Sequence, residues 1–233
     1  MLGLVPDRCT ELLLLGAHCD DIALGAGGTL LTLCRANHEM RVTALVFSGG
    51  GSLREQEERS ALKAFCPQAS LEIQVADLPD GRLPAHWERA KATLEELRRS
   101  CTPDLILGPS PHDAHQDHRG LSRLVPTAFR NHLIVGYEIL KWDSDLAQPN
   151  FFVPLPPVVI DEKIELLHEH YVSQRDHIWF DDEAFRGLAR IRGVQCRSRY
   201  AEAFHVQKLT IGIDMDAPPR SIPVVENADL VKG

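Results

Sequence analysis

Residues Leu12–Leu15 are four consecutive leucines that stop at Gly16-Ala17. A half-exposed strand alternates, so an uninterrupted apolar run this short suits a strand covered on both faces. Such a strand needs helices above and below it, which commits the chain to an α/β layering. The pattern recurs. Arg41–Phe47 and Leu105–Gly108 are further short apolar runs, and Leu71–Ala76 alternates as a strand near a sheet edge does. Between them, Leu53–Phe65 and Trp87–Arg99 read as helices, and a helix beginning near Leu30 follows the first strand. The β-α-β-α-β-α-β alternation predicts a parallel sheet with right-handed crossovers. In the common order 3-2-1-4-5 the first and fourth strands are neighbours, with the switch point between them.

The rest of the chain continues in the same style. Asn131–Leu140 reads as a fifth strand and Tyr200–Leu209 as the last one. Asp161–Val172 reads as a helix with Asp161 as N-cap, and Asp181–Ile191 as another. Phe151–Pro157 reads as a Pro-rich loop. A length of 233 residues with 44% hydrophobic side chains suits one domain over 1–213, with 214–233 as a surface tail. The net charge of −8 argues against nucleic acid or an anionic membrane as main partner. No apolar run approaches the roughly 18 residues of a membrane span. The N-terminus, with Asp7 and Glu11, lacks the order of a signal peptide. Six scattered cysteines with no Cys-x-x-Cys pair read as reduced thiols of a cytoplasmic protein.

Chemistry concentrates in two loops. The first strand runs into His18-Cys19-Asp20-Asp21, and the fourth into His112-Asp113-Ala114-His115-Gln116-Asp117-His118. A capped turn accounts for one aspartate, not for two beside a histidine. A solvated surface explains His38, His86 and His132 but fits the second cluster poorly, because the predicted topology sets it opposite the first. Zinc takes imidazole and carboxylate donors and, in catalytic sites, leaves a position open. His18, Asp21 and His118 supply three such ligands. Asp20 and His115 remain as supporting or acid/base groups. The glycines at 25–28 and 49–51 match neither the dinucleotide nor the phosphate-loop fingerprint, so no nucleotide site is expected.

Ala17-His18-Cys19-Asp20-Asp21 resembles the Ala-His-Pro-Asp-Asp signature of the PIG-L/LmbE-like zinc-dependent N-deacetylases, and His115-Gln116-Asp117-His118 is similar to that family's His-Pro-Asp-His. Arg54 with Glu58, Ser173-Gln174 and Tyr200–Phe204 extend the resemblance over roughly residues 10 to 208. It implies a Rossmann-like three-layer α/β sandwich with a mostly parallel sheet. It implies one zinc, or another divalent metal, on His18, Asp21 and His118. Asp20 would be the general base. His115, protonated and held by Asp113 or Asp117, would stabilise the oxyanion or protonate the leaving amine. Cys19 replaces the usual proline and Ile22 a common glutamate, and neither change removes the catalytic set.

The expected reaction is removal of an N-acetyl group from an amino sugar or an amino-sugar-containing small molecule. Arg54, Tyr137, Glu138 and Trp142 are the candidate substrate contacts, the last three through stacking and hydrogen bonds to a sugar. Aromatic packing under the loop, or a contact between subunits of a homo-oligomer, explains the Tyr137–Trp142 segment equally well. Arg190, Arg192, Arg197 and Arg199 form a local basic cluster that suits a solvated face better than an anion site. Competing readings are another metal-dependent amidase on this scaffold, such as a thiol-conjugate or natural-product amidase, and a non-catalytic sugar- or metal-binding module. A binding module has no need of Asp20 and His115.

Overall fold

A computed structural model describes residues 9–210. The expected tail from Asp214 and the N-terminal residues around Asp7 lie outside the described residues. Seven strands and six helices follow one another as β1 (Glu11–Gly16), α1 (Asp21–Ala36), β2 (Arg41–Val46), α2 (Leu53–Phe65), β3 (Ser70–Val75), α3 (Trp87–Ser100), β4 (Leu105–Pro109), α4 (Gln116–Ala128), β5 (Leu133–Tyr137), β6 (Phe151–Leu155), α5 (Pro157–His170), α6 (Asp182–Gln195) and β7 (Tyr200–Val206). The sheet order is β3-β2-β1-β4-β5-β7-β6. Strands β1 to β5 pair in parallel, and β7 runs antiparallel to both β5 and β6. This is the expected mostly parallel α/β sandwich, extended at one edge by a reversed strand.

The leucine run behaves as its composition requires. Leu12 and Leu14 point into one core with α1, α2, α5 and α6, while Leu13 and Leu15 point into a second core with α3 and α4. All four are at most 2% exposed. β1 is therefore the central strand of three layers. Its neighbour β4 joins α4 on the face opposite α1, so the chain leaves the carboxyl ends of β1 and β4 in opposite directions and opens a crevice there.

Three elements differ from expectation. Helix α1 starts at Asp21, about nine residues before Leu30. Glycine costs a helix about 1 kcal/mol each relative to alanine, yet Gly25, Gly27 and Gly28 lie inside it. They are where the helix meets its neighbours: a Cβ at Gly25 would overlap the Tyr137 ring, and one at Gly28 would press on Leu155 and Glu202. The Phe151–Leu155 stretch is not loop but edge strand β6, where Pro154 can sit without breaking an inner ladder. Helix α5 starts at Pro157, so Asp161 is not its N-cap and instead pairs with Arg186 Nη1 at 2.6 Å. Asp181, by contrast, does cap α6 by accepting from Glu183 N and Ala184 N.

The Tyr200–Phe204 motif has a structural use. Glu202 on β7 accepts from Gly28 N at 2.8 Å, Thr29 N at 2.7 Å and Thr29 Oγ1 at 2.6 Å. Lys163 on α5 donates to Glu202 Oε1 and to Leu24 O, both at 2.7 Å. This buried pair is hydrogen-bonded on both partners, the condition under which burying charge is tolerated, and it locks α1 to β7 and α5. Replacing Gly25 with alanine should cost about 1–3 kcal/mol, because the buried Tyr137 ring cannot yield. The check is the urea midpoint at unchanged m-value, and an unshifted midpoint would show that α1 does not approach the sheet this closely.

Candidate active site

The β1–α1 corner carries His18, Asp20 and Asp21 in three different settings. Asp21 opens α1, and its Oδ2 accepts from the backbone N–H groups of Ala17 and His18, each at 2.9 Å. Asp20 occupies the N-cap position with φ 105°, a left-handed conformation uncommon outside glycine, and its side chain makes no cap hydrogen bond. Strain of that kind, of order 1–3 kcal/mol, persists only where surroundings enforce it. Here Asp20 N donates to Glu58 Oε2 at 2.8 Å. Arg54 Nη2 donates to Cys19 O and, at 2.9 Å, to Asp20 Oδ2. Glu58 is itself fixed by the Tyr171 hydroxyl, which donates to it at 2.6 Å. Ser173 anchors Glu57 next door with its N at 2.8 Å and its Oγ at 2.6 Å.

The facing loop follows β4. His115 is the N-cap of α4, its Nδ1 accepting from Asp117 N at 3.3 Å. His118, in the first turn, is 2% exposed. His18 Nδ1 and His118 Nε2 lie 3.1 Å apart, His118 Nε2 and Asp21 Oδ2 3.2 Å, and His18 Nδ1 and Asp21 Oδ2 3.6 Å. A tetrahedral cation bound at about 2.1 Å separates its donors by roughly 3.4 Å. The three atoms therefore suit three corners of such a shell. Two N–H groups cannot face each other across 3.1 Å, so without a cation only one of these two nitrogens carries a proton, whereas a cation among the three can take a lone pair from each. The ring nitrogens of His18, His115 and His118 also fall within 4.8 Å of one another, and His18, Asp80 and Asp117 form a second group of that kind. Asp21 is the better third donor for the pair His18–His118, because its oxygen already lies within 3.6 Å of both nitrogens.

The electrostatics agree with a cation-seeking corner. Burial alone would lower the His18 imidazole, but Asp21, Asp117 and Asp80 outweigh it and push the pKa up to about 12. His118 is raised to about 9 against its burial by Asp21 and Asp113. Burial would raise Asp21, yet His118 and His18 hold it well below the usual carboxylate range. Asp20 differs: burial pushes it up to about 7, with Asp21 adding to the rise and Arg54 opposing it. A carboxyl near neutrality is suited to take a proton.

Outer carboxylates flank the imidazoles. Asp113 Oδ2 lies 2.9 Å from His118 Nδ1, and Asp117 Oδ2 lies 3.3 Å from His18 Nε2. Neither carboxylate holds the His115 ring, contrary to expectation. Asp113 Oδ1 takes only the His115 backbone N–H, at 2.7 Å. Burial and the neighbouring His118 and His18 charges also lower the His115 pKa, which favours the neutral ring. With Nδ1 accepting from Asp117 N, the neutral tautomer carries its proton on Nε2 and can still donate.

The expected substrate contacts separate. Tyr137 is fully buried and its hydroxyl donates to Leu15 O at 2.6 Å, so it offers no stacking face. Glu138 is taken up by Arg192, with contacts of 2.7 and 2.6 Å, which also removes Arg192 from any anion site. Arg54 holds Asp20 and is partly exposed, and Trp142 is 70% exposed. Cys19 turns away, its Sγ donating to Ser48 O at 3.5 Å. The glycine loop folds on itself, with Gly50 N donating to Ala76 O and Gly51 N to Glu55 Oε2. Two participants were missed. Asp80 is exposed and its Oδ1 lies 3.1 Å from His18 Nε2; its Pro-Asp-Gly turn follows β3, at the same sheet edge as the two loops. Tyr171 gave no local signal, since only the fold brings it to Glu58. A cavity of about 270 Å³ between α4 and the β4–β5–β7 surface, lined by Val125, Phe129 and Ile134, lies apart from these groups.

Comparison with known proteins matches residues 13–129 to the family model PIG-L, GlcNAc-PI de-N-acetylase. The chain is 30% identical over 172 residues to the uncharacterised deacetylase YaiS of Escherichia coli K12, covering 68% of this chain and 89% of that one. It is 26% identical over 222 residues to a diacetylchitobiose deacetylase of Thermococcus kodakarensis, covering 82% and 81%. Among solved structures it resembles the conserved protein TT1542 of Thermus thermophilus, with a TM-score of 0.71, 24% identity and coverage of 90% and 100%. The chain thus belongs to the PIG-L family and, with it, to the hydrolytic N-deacetylases.

Proposed function

We propose that this N-deacetylase is zinc-dependent, works in the cytoplasm, and removes an acetyl group from an amino sugar or a small metabolite that contains one. The observation that carries the reading is the triangle of His18 Nδ1, Asp21 Oδ2 and His118 Nε2, with sides of 3.1–3.6 Å, set beside a carboxyl poised near neutrality. His18, Asp21 and His118 would hold the metal, and the same donors would accept iron, cobalt or nickel. When bound, the cation supplies Lewis-acid charge that polarises an acyl oxygen and lowers the pKa of attacking water. Asp20 takes the proton of that water, held in line by Arg54 on its carboxylate and Glu58 on its backbone N–H. His115 donates from Nε2 to the oxygen that gains charge or to the departing amine, and it does so as a neutral ring.

Arg54, Asp80 and Trp142 are the side chains left to meet the acceptor sugar. Each has exposed surface, and Asp80 and Arg54 stand directly beside groups of the centre. The relative that acts on diacetylchitobiose makes N-acetylglucosamine units the first substrates to test. Six free cysteines favour a reducing compartment, and no helix among the described residues is long and apolar enough to cross a membrane.

The test pairs metal content of protein purified without chelator with amine release from N-acetylated mono- and disaccharides, diacetylchitobiose included. About one zinc per chain, and amine release that stops with chelator and returns with zinc, is the expected result. No metal bound or taken up on titration would remove the ligand set. Asp20→Asn should lower kcat by about 10²- to 10⁴-fold with zinc content unchanged, and near-wild-type turnover would take Asp20 out of the base role. His115→Ala should slow turnover and leave zinc in place. Loss of zinc instead would exchange His115 with Asp21 among the ligands.

A further inference from the structure

The connection between β5 and β6 reaches the histidine loop through a single ammonium group. Lys141 Nζ lies 3.0 Å from Asp113 Oδ2 and 2.6 Å from Asp145 Oδ2, and its side chain is 11% exposed. Both carboxylates also hold the other loop. Asp113 Oδ2 is the atom 2.9 Å from His118 Nδ1, and Asp113 Oδ1 accepts from His115 N at 2.7 Å. Asp145 Oδ2 accepts from Ala114 N at 2.6 Å. The lysine thus stands between two largely buried carboxylates of like charge, each carrying part of the segment 113–118.

We propose that Lys141 is a positioning residue for the ligand His118: its ammonium keeps Asp113 against His118 Nδ1 and joins the β5–β6 connection to the loop after β4. Without that charge, Asp113 and Asp145 repel each other across the space it fills. The weakest restraint then gives way, and that is the contact of Asp113 Oδ2 with His118 Nδ1, on the side of the ring opposite Asp21 and His18. Groups behind a metal-ligating histidine fix its tautomer and direction, and their loss typically costs 10- to 100-fold in metal affinity. The ligand triangle tolerates little rotation of that ring, since His118 Nε2 is only 3.1–3.2 Å from both other donors. This inference rests on the metal-dependent reading above.

The experiment is a zinc competition against a chromophoric chelator, using full-length protein stripped of metal, for the wild type, Lys141→Met, Lys141→Arg and Asp145→Asn. Thermal midpoints of the metal-free forms are recorded alongside. Lys141→Met should bind zinc about 10- to 100-fold more weakly, with a cobalt(II) absorption spectrum shifted from wild type. Lys141→Arg should recover most of that affinity. Asp145→Asn, which keeps both the ammonium and Asp113, should weaken binding less than Lys141→Met does. Met and Arg variants equal to wild type in zinc affinity would overturn the proposal, as would an Arg variant as weak as Met at equal metal-free midpoints. Should Lys141→Met fail to fold, Lys141→Gln, which also removes the charge, takes its place, and a normal zinc affinity and cobalt spectrum in that variant would overturn the proposal too. A wild type that takes up no metal defeats the parent reading instead, and this inference falls with it.

Discussion

One oxygen organises the centre. Asp21 Oδ2 accepts two backbone N–H groups from its own turn and faces ring nitrogens of His18 and His118. The first pair of contacts makes the β1–α1 corner, and the second joins it to α4. The carboxylate therefore shapes the loop with the same atom that faces both imidazoles. Burial of an unpaired carboxylate is costly, and four of them, Asp20, Asp21, Asp113 and Asp117, are at most 6% exposed here. Arg54, Lys141 and the imidazoles of His18 and His118 balance them, so the site is an alternating lattice of charge more than a cleft.

Much of this was legible because it is encoded locally. Four leucines without a polar break can only be a strand covered on both sides, and β1 is that strand. Two short motifs at the ends of adjacent parallel strands must face each other, and they do. What was not legible depends on close approach between distant elements. Tyr137 looked available to a sugar because nothing in its own segment says that Gly25 on α1 leaves room for its ring. The same glycines suggested a loop before Leu30, since a local cost of about 1 kcal/mol each gives no hint of the packing that outweighs it. Phe151–Leu155 carries two aromatics and a proline, a mixture that only its place at the sheet edge makes into a strand. Asp80 was in view as part of a turn, and only the third dimension brings it to His18.

The family motifs divide between chemistry and scaffolding. Glu58 and Arg54 serve Asp20, whose left-handed backbone they hold in place. Glu202 serves α1, and Ser173 serves α2 through Glu57. Arg54 and Glu58 reach the corner after β1 from α2, Ser173 braces α2, and Glu202 holds α1 from β7. The β1–α1 turn is consequently supported from α2, from the segment after α5 and from β7, which leaves its strained residue little freedom to relax.

The pairing of β1 with β4 has a consequence for how the chain acquires its site. His18 and His118 are separated by 100 residues, and contacts so distant in sequence form late because a long loop must close first. During synthesis the Asp20–Asp21 corner emerges with His18 but well before His118, so it has reason to stay solvated until β4 and α4 arrive. The corner between β1 and β4 is then among the last parts of the crevice to dry, and a cation bound there would meet a domain that is already largely folded.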